Sequence, residues 1–452
     1  MKKQIDLLHG SIFSSLTRLA LPIMATSLVQ MAYNLTDMAW IGRVGAGAVA
    51  AVGTAGMYTW LSQGIVALAK MGGQVKVAHS LGEGKKEEAV WYAQGSIQMG
   101  ILFALFYGLL TLTAARPLIG FFGLQDVKTT EESVIYLRIT CGAIIFPFLN
   151  SVLTGLFTAL GDSKTPFFAN VVGLVFNMIL DPVLIFGLGA FPELGVAGAA
   201  IATVTAQMVV TVVFFLAVRK EDMIFQKIRL FGRTPKHCIQ SMFSIGLPAA
   251  LQNLFYTGIS MVLTRMVVSF GDTAVAVQRV GGQVESISWM TAEGFGAAIN
   301  SFSGQNYGAK QYDRVKRGYV TAAGVIAAWG LMCSLLLIFG GGPIFSLFIN
   351  DPAILPQGKD YLRILGYGQM FMCVEMTTVG ALSGLGKTFL SSVISIFFTA
   401  LRIPMAFFLS GTVLGLNGIW WALTISSMVK GVVFFVCFMY VSHKLLRRSV
   451  GS

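Results

Sequence analysis

Two stretches of this chain place an amide and a carboxylate at helical spacing inside apolar sequence. In "NVVGLVFNMILDPVLIFGLG" Asn177 precedes Asp181 by four residues, and in "MAYNLTDMAWIGR" Asn34 precedes Asp37 by three. Either spacing puts both groups of a pair on one helix face. An ionised side chain at the centre of a bilayer helix costs about 2.5 to 3.5 kcal/mol, so such residues mark ion pathways or buried pairs. Two carboxyl groups sharing a low-dielectric pocket do not both ionise cheaply: one holds a proton, or a cation sits between them. Asn, Thr and carboxylate oxygens suit Na⁺, a hard cation, while a carboxylate pair suits H⁺ equally well. Thr203, in "AAIATV", supplies a hydroxyl for the same set. The competing reading for both aspartates is a polar bridge that only fixes helix packing.

Of the twenty acidic residues, the others that fall inside apolar segments are Glu285, Glu293 and Glu375. Glu375 in "FMCVEMTTVG" reads as a contact for a cationic substrate, as a packing bridge or as a proton relay. Glu285 and Glu293 sit in the Gly-rich, polar "GGQVESISWMTAEGFGAA", which either lines water or binds an ion. Tyr33, Tyr256, Trp289 and Met290 are candidates for a surface that holds aromatic cations, weighed against ordinary packing.

The elements that must position these residues are membrane helices. The chain has 452 residues, 55% of them hydrophobic and only 12% charged, against about 25% charged in soluble domains. Apolar runs of spanning length cover residues 15–41, 47–70, 92–114, 134–158, 165–188 and 194–217. They recur at 240–266, 274–299, 318–340, 362–384, 389–412 and 416–442, giving about twelve helices. Lipid offers no partner for backbone groups, and the runs lack strand alternation, so helices rather than a barrel follow. The net charge of +12 alternates with the crossings instead of forming the basic face that nucleic acid requires. Lys2, Lys3, Lys76, Lys85, Lys86, Arg219, Lys220 and Arg447 collect on one side, while "FGLQDVKTTEES" and "GAFPELG" on the other are basic-poor. That pattern puts both termini in the cytoplasm. The start "MKKQIDLLHGSIFSSLTRLA" reads as an interfacial lead-in, lacking a compact apolar core and a cleavage site.

The chain also repeats itself. "LALPIMATSLVQ" returns as "IGLPAALQNLFY", "YLRITCG" as "YLRILGY", "TGLFTALGDSKT" as "VGALSGLGKT", and "LGVAGAAIATVTAQMV" as "LGLNGIWWALTISSMV". The order predicts an all-α polytopic membrane protein with two pseudo-symmetric six-helix lobes, residues 1–218 and 240–452, joined by a cytoplasmic linker at 219–239. Six helices is an even number, so the halves insert in the same orientation, the plan on which alternating access is built.

Other chemistries lack their residues. "GLGKT" resembles the end of a phosphate loop but has Ala381 where the motif's first glycine belongs. The four histidines lie in or near polar loops without paired metal spacing, so no catalytic site and no resident metal or cofactor is expected. The five cysteines are scattered and read as small buried hydrophobes.

The set "LALPIMATSLVQMAYNLTDMAWIGRVG", "NMILDP", "GVAGAAIAT", "GQNYGAK" and "GALSGLGKT", in this order across essentially the whole chain, resembles the multidrug and toxic compound extrusion (MATE) transporters. The resemblance implies an antiporter of the cell inner membrane that exports cationic or amphiphilic drugs and toxic compounds in exchange for H⁺ or Na⁺. It places the family's N-lobe cation site on Asp37, Asn177, Asp181 and Thr203. Where some relatives carry acids in the seventh helix and early in the tenth, this chain has Tyr256 and Met372, which moves the expected coupling to the first lobe. Small-molecule substrates and membrane lipids are the expected partners, without nucleic acid, and two lobes in one chain make a monomer sufficient. The alternative is a flippase of lipid-linked precursors on a similar scaffold, for which Arg265, Arg402 and Lys430 are the central basic residues. A membrane enzyme would need a cluster of acids or histidines at one membrane face, and the sequence has none.

Overall fold

The computed structural model describes residues 5–450 apart from 125, 190, 222 and 349–351. The side chains of Asn34, Leu35, Met38, Ala39, Ala46, Asp272, Ala276 and 448–450 also lie outside the described set. The described residues form α-helices and one short 3-10 turn, with no strand. The first half contains α1 (Ile12–Val44), α2 (Ala46–Gly82), α3 (Lys86–Gly120), α4 (Val127–Gly142), α5 (Ile145–Ala159), α6 (Lys164–Phe186) and α7 (Gly195–Val218). The second contains α8 (Lys236–Val268), α9 (Asp272–Gly308), α10 (Tyr312–Ser346), α11 (Leu355–Gly366), α12 (Gln369–Gly384), α13 (Thr388–Ala400), α14 (Arg402–Ser410) and α15 (Leu416–Val450).

Each apolar run read from the sequence falls on one helix or on a helix pair. The pairs are α4 with α5, α11 with α12, and α13 with α14, and the first bends by 46° between its members. By length and apolarity seven spans qualify among the described residues, or eight if the bent pair is one crossing. The long helices α2 and α9 fall short of that apolarity because they carry Lys70, Gln74 and Lys76, and Gln278, Glu285 and Glu293.

The chain divides into two compact units whose limits differ from the lobe boundaries expected from the repeat. One contains Ala25–Ala250, and the other combines Ile5–Met24 with the chain from Leu251 onward. Both divisions fall inside helices, three residues after Pro22 in α1 and after Pro248 in α8. The expected linker belongs to the first unit. There Gln94 and Gln98, one turn apart on α3, hold it through the Gly232 carbonyl, at 3.1 and 2.8 Å, and the Thr234 hydroxyl. Phe225 in the 3-10 turn packs on Phe157 with ring centroids 4.6 Å apart. In the second unit the segment before α1 is tied down by Arg314, whose guanidinium donates to the carbonyls of Leu7, His9 and Gly10. Asn306 donates to Leu7 as well, at 2.9 Å.

Within the first unit, α6 and α7 approach closely because Gly173 faces Val210 and Ala206, and Gly198 faces Leu184; a methyl on either glycine would collide. Gly187, with φ of 68°, ends α6 in the left-handed conformation that glycine adopts at low cost. Asp126 caps α4: its Oδ2 accepts from the Thr129 hydroxyl at 2.6 Å and from the Thr129 amide at 2.9 Å. Those bonds, the hydroxyl first, hold the Asp126 carboxyl below its usual range. A lowered folded-state value contributes stability above the unfolded value, about 3.9 for aspartate, and loses it as pH falls through the folded one. Asp126→Ala therefore lowers the thermal unfolding midpoint at pH 7 in detergent, followed by intrinsic fluorescence. The deficit against wild type shrinks as the pH is brought below about 4.

Candidate ion-coupling site

Asp37 and Asp181 meet inside the first unit. On α6, Asn177 and Asp181 lie one turn apart and are buried, at 1% and 0% exposure. Asn177 Nδ2 donates to Asp181 Oδ1 at 3.1 Å. The other members come from α1, where Tyr33 and Asp37 are also one turn apart. The Asp37 carboxyl stands within side-chain hydrogen-bonding reach of the Asp181 carboxyl. Tyr33 and Thr203 on α7 approach at 3.4 Å between hydroxyl oxygens. Pro182 follows Asp181 inside α6, removing one backbone donor next to the carboxylate.

A residue that sequence reasoning passed over completes the cluster. Tyr136 on α4 is buried at 8% exposure, within side-chain reach of Thr203 and close to Asp37 and Asp181. The signal for it was the repeated "YLR", together with the rule that a buried tyrosine hydroxyl usually finds a polar partner. Asn34, the remaining member of the expected set, has a side chain outside the described residues.

Three oxygens of this cluster are buried and accept no hydrogen bond among the described residues: Asp37 Oδ1, Asn177 Oδ1 and Asp181 Oδ2. Buried acceptors are normally satisfied, and an orphaned charged one is the most costly kind. Two carboxylates and an amide oxygen, flanked by three hydroxyls, form an all-oxygen donor set with net negative charge. Such a donor set suits a proton or a hard monovalent cation. Beside it lies a cavity of about 20 Å³ lined by Gln30, Tyr33, Asn170, Asn177, Thr203 and Gln207, enough for about one water molecule.

The candidate substrate residues are not gathered in this way. Tyr33 belongs to the acid cluster. In the second unit Tyr256 lines a separate cavity with Glu285 and Met372, whereas Trp289 and Met290 are half-buried on α9 and line neither cavity. Glu293 is exposed on α9. Glu375 is buried in an ion pair, Lys430 Nζ donating to its Oε1 at 2.6 Å, and Lys430 also reaches Thr399 at 3.5 Å. Of the other central basic residues, Arg265 is exposed and Arg402 is buried, donating to Ser426 at 3.2 Å and Ser427 at 2.9 Å.

Comparison with known proteins places this geometry in context. The sequence model of the family described as MatE matches residues 22–183 and 248–408, one match in each half. The chain is 28% identical over 448 residues to the probable multidrug resistance protein NorM of Thermotoga maritima, covering 96% of this chain and 93% of that one. It is also 28% identical to the probable multidrug resistance protein YoeA of Bacillus subtilis, covering 91% and 90%. Among solved structures, the outward-facing conformation of a multidrug resistance MATE family transporter of the MOP superfamily matches with a TM-score of 0.91 at 25% identity. It covers 98% of this chain and 99% of the other.

Two stability measurements check the electrostatics. Replacing Asp37 and Asp181 together by asparagine raises the thermal unfolding midpoint in sodium-free detergent, because it removes buried negative charge that no cation answers. Glu375→Gln does the reverse: it strands the Lys430 ammonium and destabilises by about 3 to 5 kcal/mol. Adding Lys430→Met to Glu375→Gln recovers most of that loss, since the pair then leaves no buried charge.

Proposed function

The chain belongs to the multidrug and toxic compound extrusion family, and from that premise we propose that it is a Na⁺-coupled antiporter that exports cationic or amphiphilic compounds. It is a multi-pass membrane protein of a family of transporters, not enzymes. The observation that carries the reading is the convergence of Asp37, Asn177 and Asp181 with one unpartnered oxygen each among the described residues. A proton shared by the two carboxyl groups leaves the Asn177 oxygen without a donor, whereas one hard cation serves all three oxygens. That difference favours Na⁺ over H⁺ in this chain. Tyr33, Tyr136 and Thr203 supply hydroxyls around the ion, and Pro182 weakens the α6 ladder where the helix responds to it.

Coupling follows if the ion-loaded and ion-free states of this cluster favour different conformations of the first unit, since a ligand shifts an equilibrium only by its differential affinity. One charge moving through 100 mV is worth about 2.3 kcal/mol, enough for roughly fiftyfold accumulation of a neutral compound. The positive-inside pattern supports insertion in the cell inner membrane with both termini cytoplasmic. The lipid-linked flippase reading draws less support. Glu375 already matches the charge of Lys430, which leaves Arg402 as the buried basic group for a phosphate.

The test is transport of a fluorescent cationic dye by the purified chain in proteoliposomes. An imposed sodium gradient at matched pH drives dye accumulation, a pH gradient without sodium does not, and the Asp37→Asn, Asp181→Asn double variant is inactive under both. Wild-type transport by the double variant would remove this mechanism, and transport under the pH gradient alone would replace Na⁺ with H⁺.

A further inference from the structure

The second unit holds a cavity of about 210 Å³ that the acid cluster does not account for. Its walls correspond by repeat to those of the ion site. Aligning "LALPIMATSLVQ" with "IGLPAALQNLFY" sets Asn34 and Asp37 against Ser260 and Leu263, and "YLRITCG" with "YLRILGY" sets Tyr136 against Tyr361. Ser260, Leu263 and Tyr361 all line this cavity. Where the first repeat has an aspartate the second has leucine, and the space is tenfold larger. A cavity of about 150 Å³ accepts benzene, so this one has room for a small organic molecule rather than a bare ion.

Two opposite charges face that space without meeting. Glu285, from α9, accepts from Gln369 Nε2 at 2.9 Å, while Gln369 Oε1 is buried and accepts nothing among the described residues. Arg402, 7% exposed, is held along one edge by the hydroxyls of Ser426 and Ser427. A guanidinium has five N–H donors, so that edge leaves others unused. The charges of Glu285 and Arg402 interact, yet the two are not in ion-pair contact within 4.0 Å. A pair serving packing alone gains most by closing that distance. Here the separation leaves an acceptor end, Glu285 with Gln369 Oε1, and a donor end, Arg402, open to the same cavity.

We propose that this cavity is a second binding site, for a small zwitterion whose ammonium group meets Glu285 and Gln369 Oε1 and whose carboxylate meets Arg402. A planar guanidinium fork matches a carboxylate bidentately, which a lone ammonium does not. The site lies wholly on residues of the second unit and stands apart from the antiport reading.

Isothermal titration of the purified full chain in detergent tests it with three probes of one shape: L-phenylalanine, phenethylamine and 3-phenylpropanoate. Phenylalanine binds at least about tenfold more tightly than either singly charged probe, because each of those leaves one buried charge unanswered. Arg402→Gln and Glu285→Gln each weaken phenylalanine by a similar factor. They do so with opposite selectivity: Arg402→Gln spares phenethylamine and Glu285→Gln spares 3-phenylpropanoate. Ser260→Phe, which fills the cavity without touching a charge, abolishes binding of all three. Absence of saturable phenylalanine binding to folded wild type, equal affinity for the three probes, or binding indifferent to the variants would overturn the assignment. If a variant does not fold, the comparison of probes on wild type still decides. No ion gradient enters the measurement, so its failure leaves the antiport reading standing, and failed dye transport leaves this one.

Discussion

The constraint that shapes the first unit is two carboxyl groups brought together with one oxygen of each left unpartnered among the described residues. Asp37 arrives on α1 and Asp181 on α6, and the glycine contacts that let α6 lie close to α7 also bring Thr203 to the cluster. Asn177 satisfies one oxygen of Asp181 and leaves its own exposed to whatever enters. Most buried polar groups are satisfied, and among the described residues these three oxygens, on Asp37, Asn177 and Asp181, are not. Unmatched buried acceptors are costly, and that cost is the condition under which a bound ion would reorganise the bundle.

The second unit treats buried charge differently. Glu375 and Lys430 neutralise one another across α12 and α15 at 2.6 Å. Arg402 leans on two serines of α15, and Glu285 takes its hydrogen bond from an amide. The arrangement differs from the first half: Leu263 stands at the repeat position of Asp37, and the acid comes from α9 instead. The duplicated scaffold thus preserves where a polar chamber sits while changing its charge and size.

Much of the candidate cluster was legible in the sequence because its strongest signal is local. Asn177 and Asp181 are one turn apart in an otherwise apolar run, and the cost of a mid-membrane acid singles them out. Tyr136 was not legible, since a tyrosine in a membrane helix usually reads as packing and its link to Thr203 is purely tertiary. The cavity of Glu285 and Arg402 was hidden for the same reason, its polar groups Glu285, Gln369 and Arg402 lying on α9, α12 and α14. Hydropathy also runs through the breaks at 143–144, 367–368 and 401, because a bend changes backbone direction and not composition. The limits of the two packing units follow which side chains meet in space, which a repeat pattern does not encode.

The opening segment of the first repeat, Ile5–Met24, belongs to the second unit, and the opening of the second repeat, up to Ala250, to the first. Both divisions follow a proline, Pro22 in α1 and Pro248 in α8, where the helix has lost one backbone bond and yields most readily. A joint of that kind lets a single unbroken helix serve two packing units.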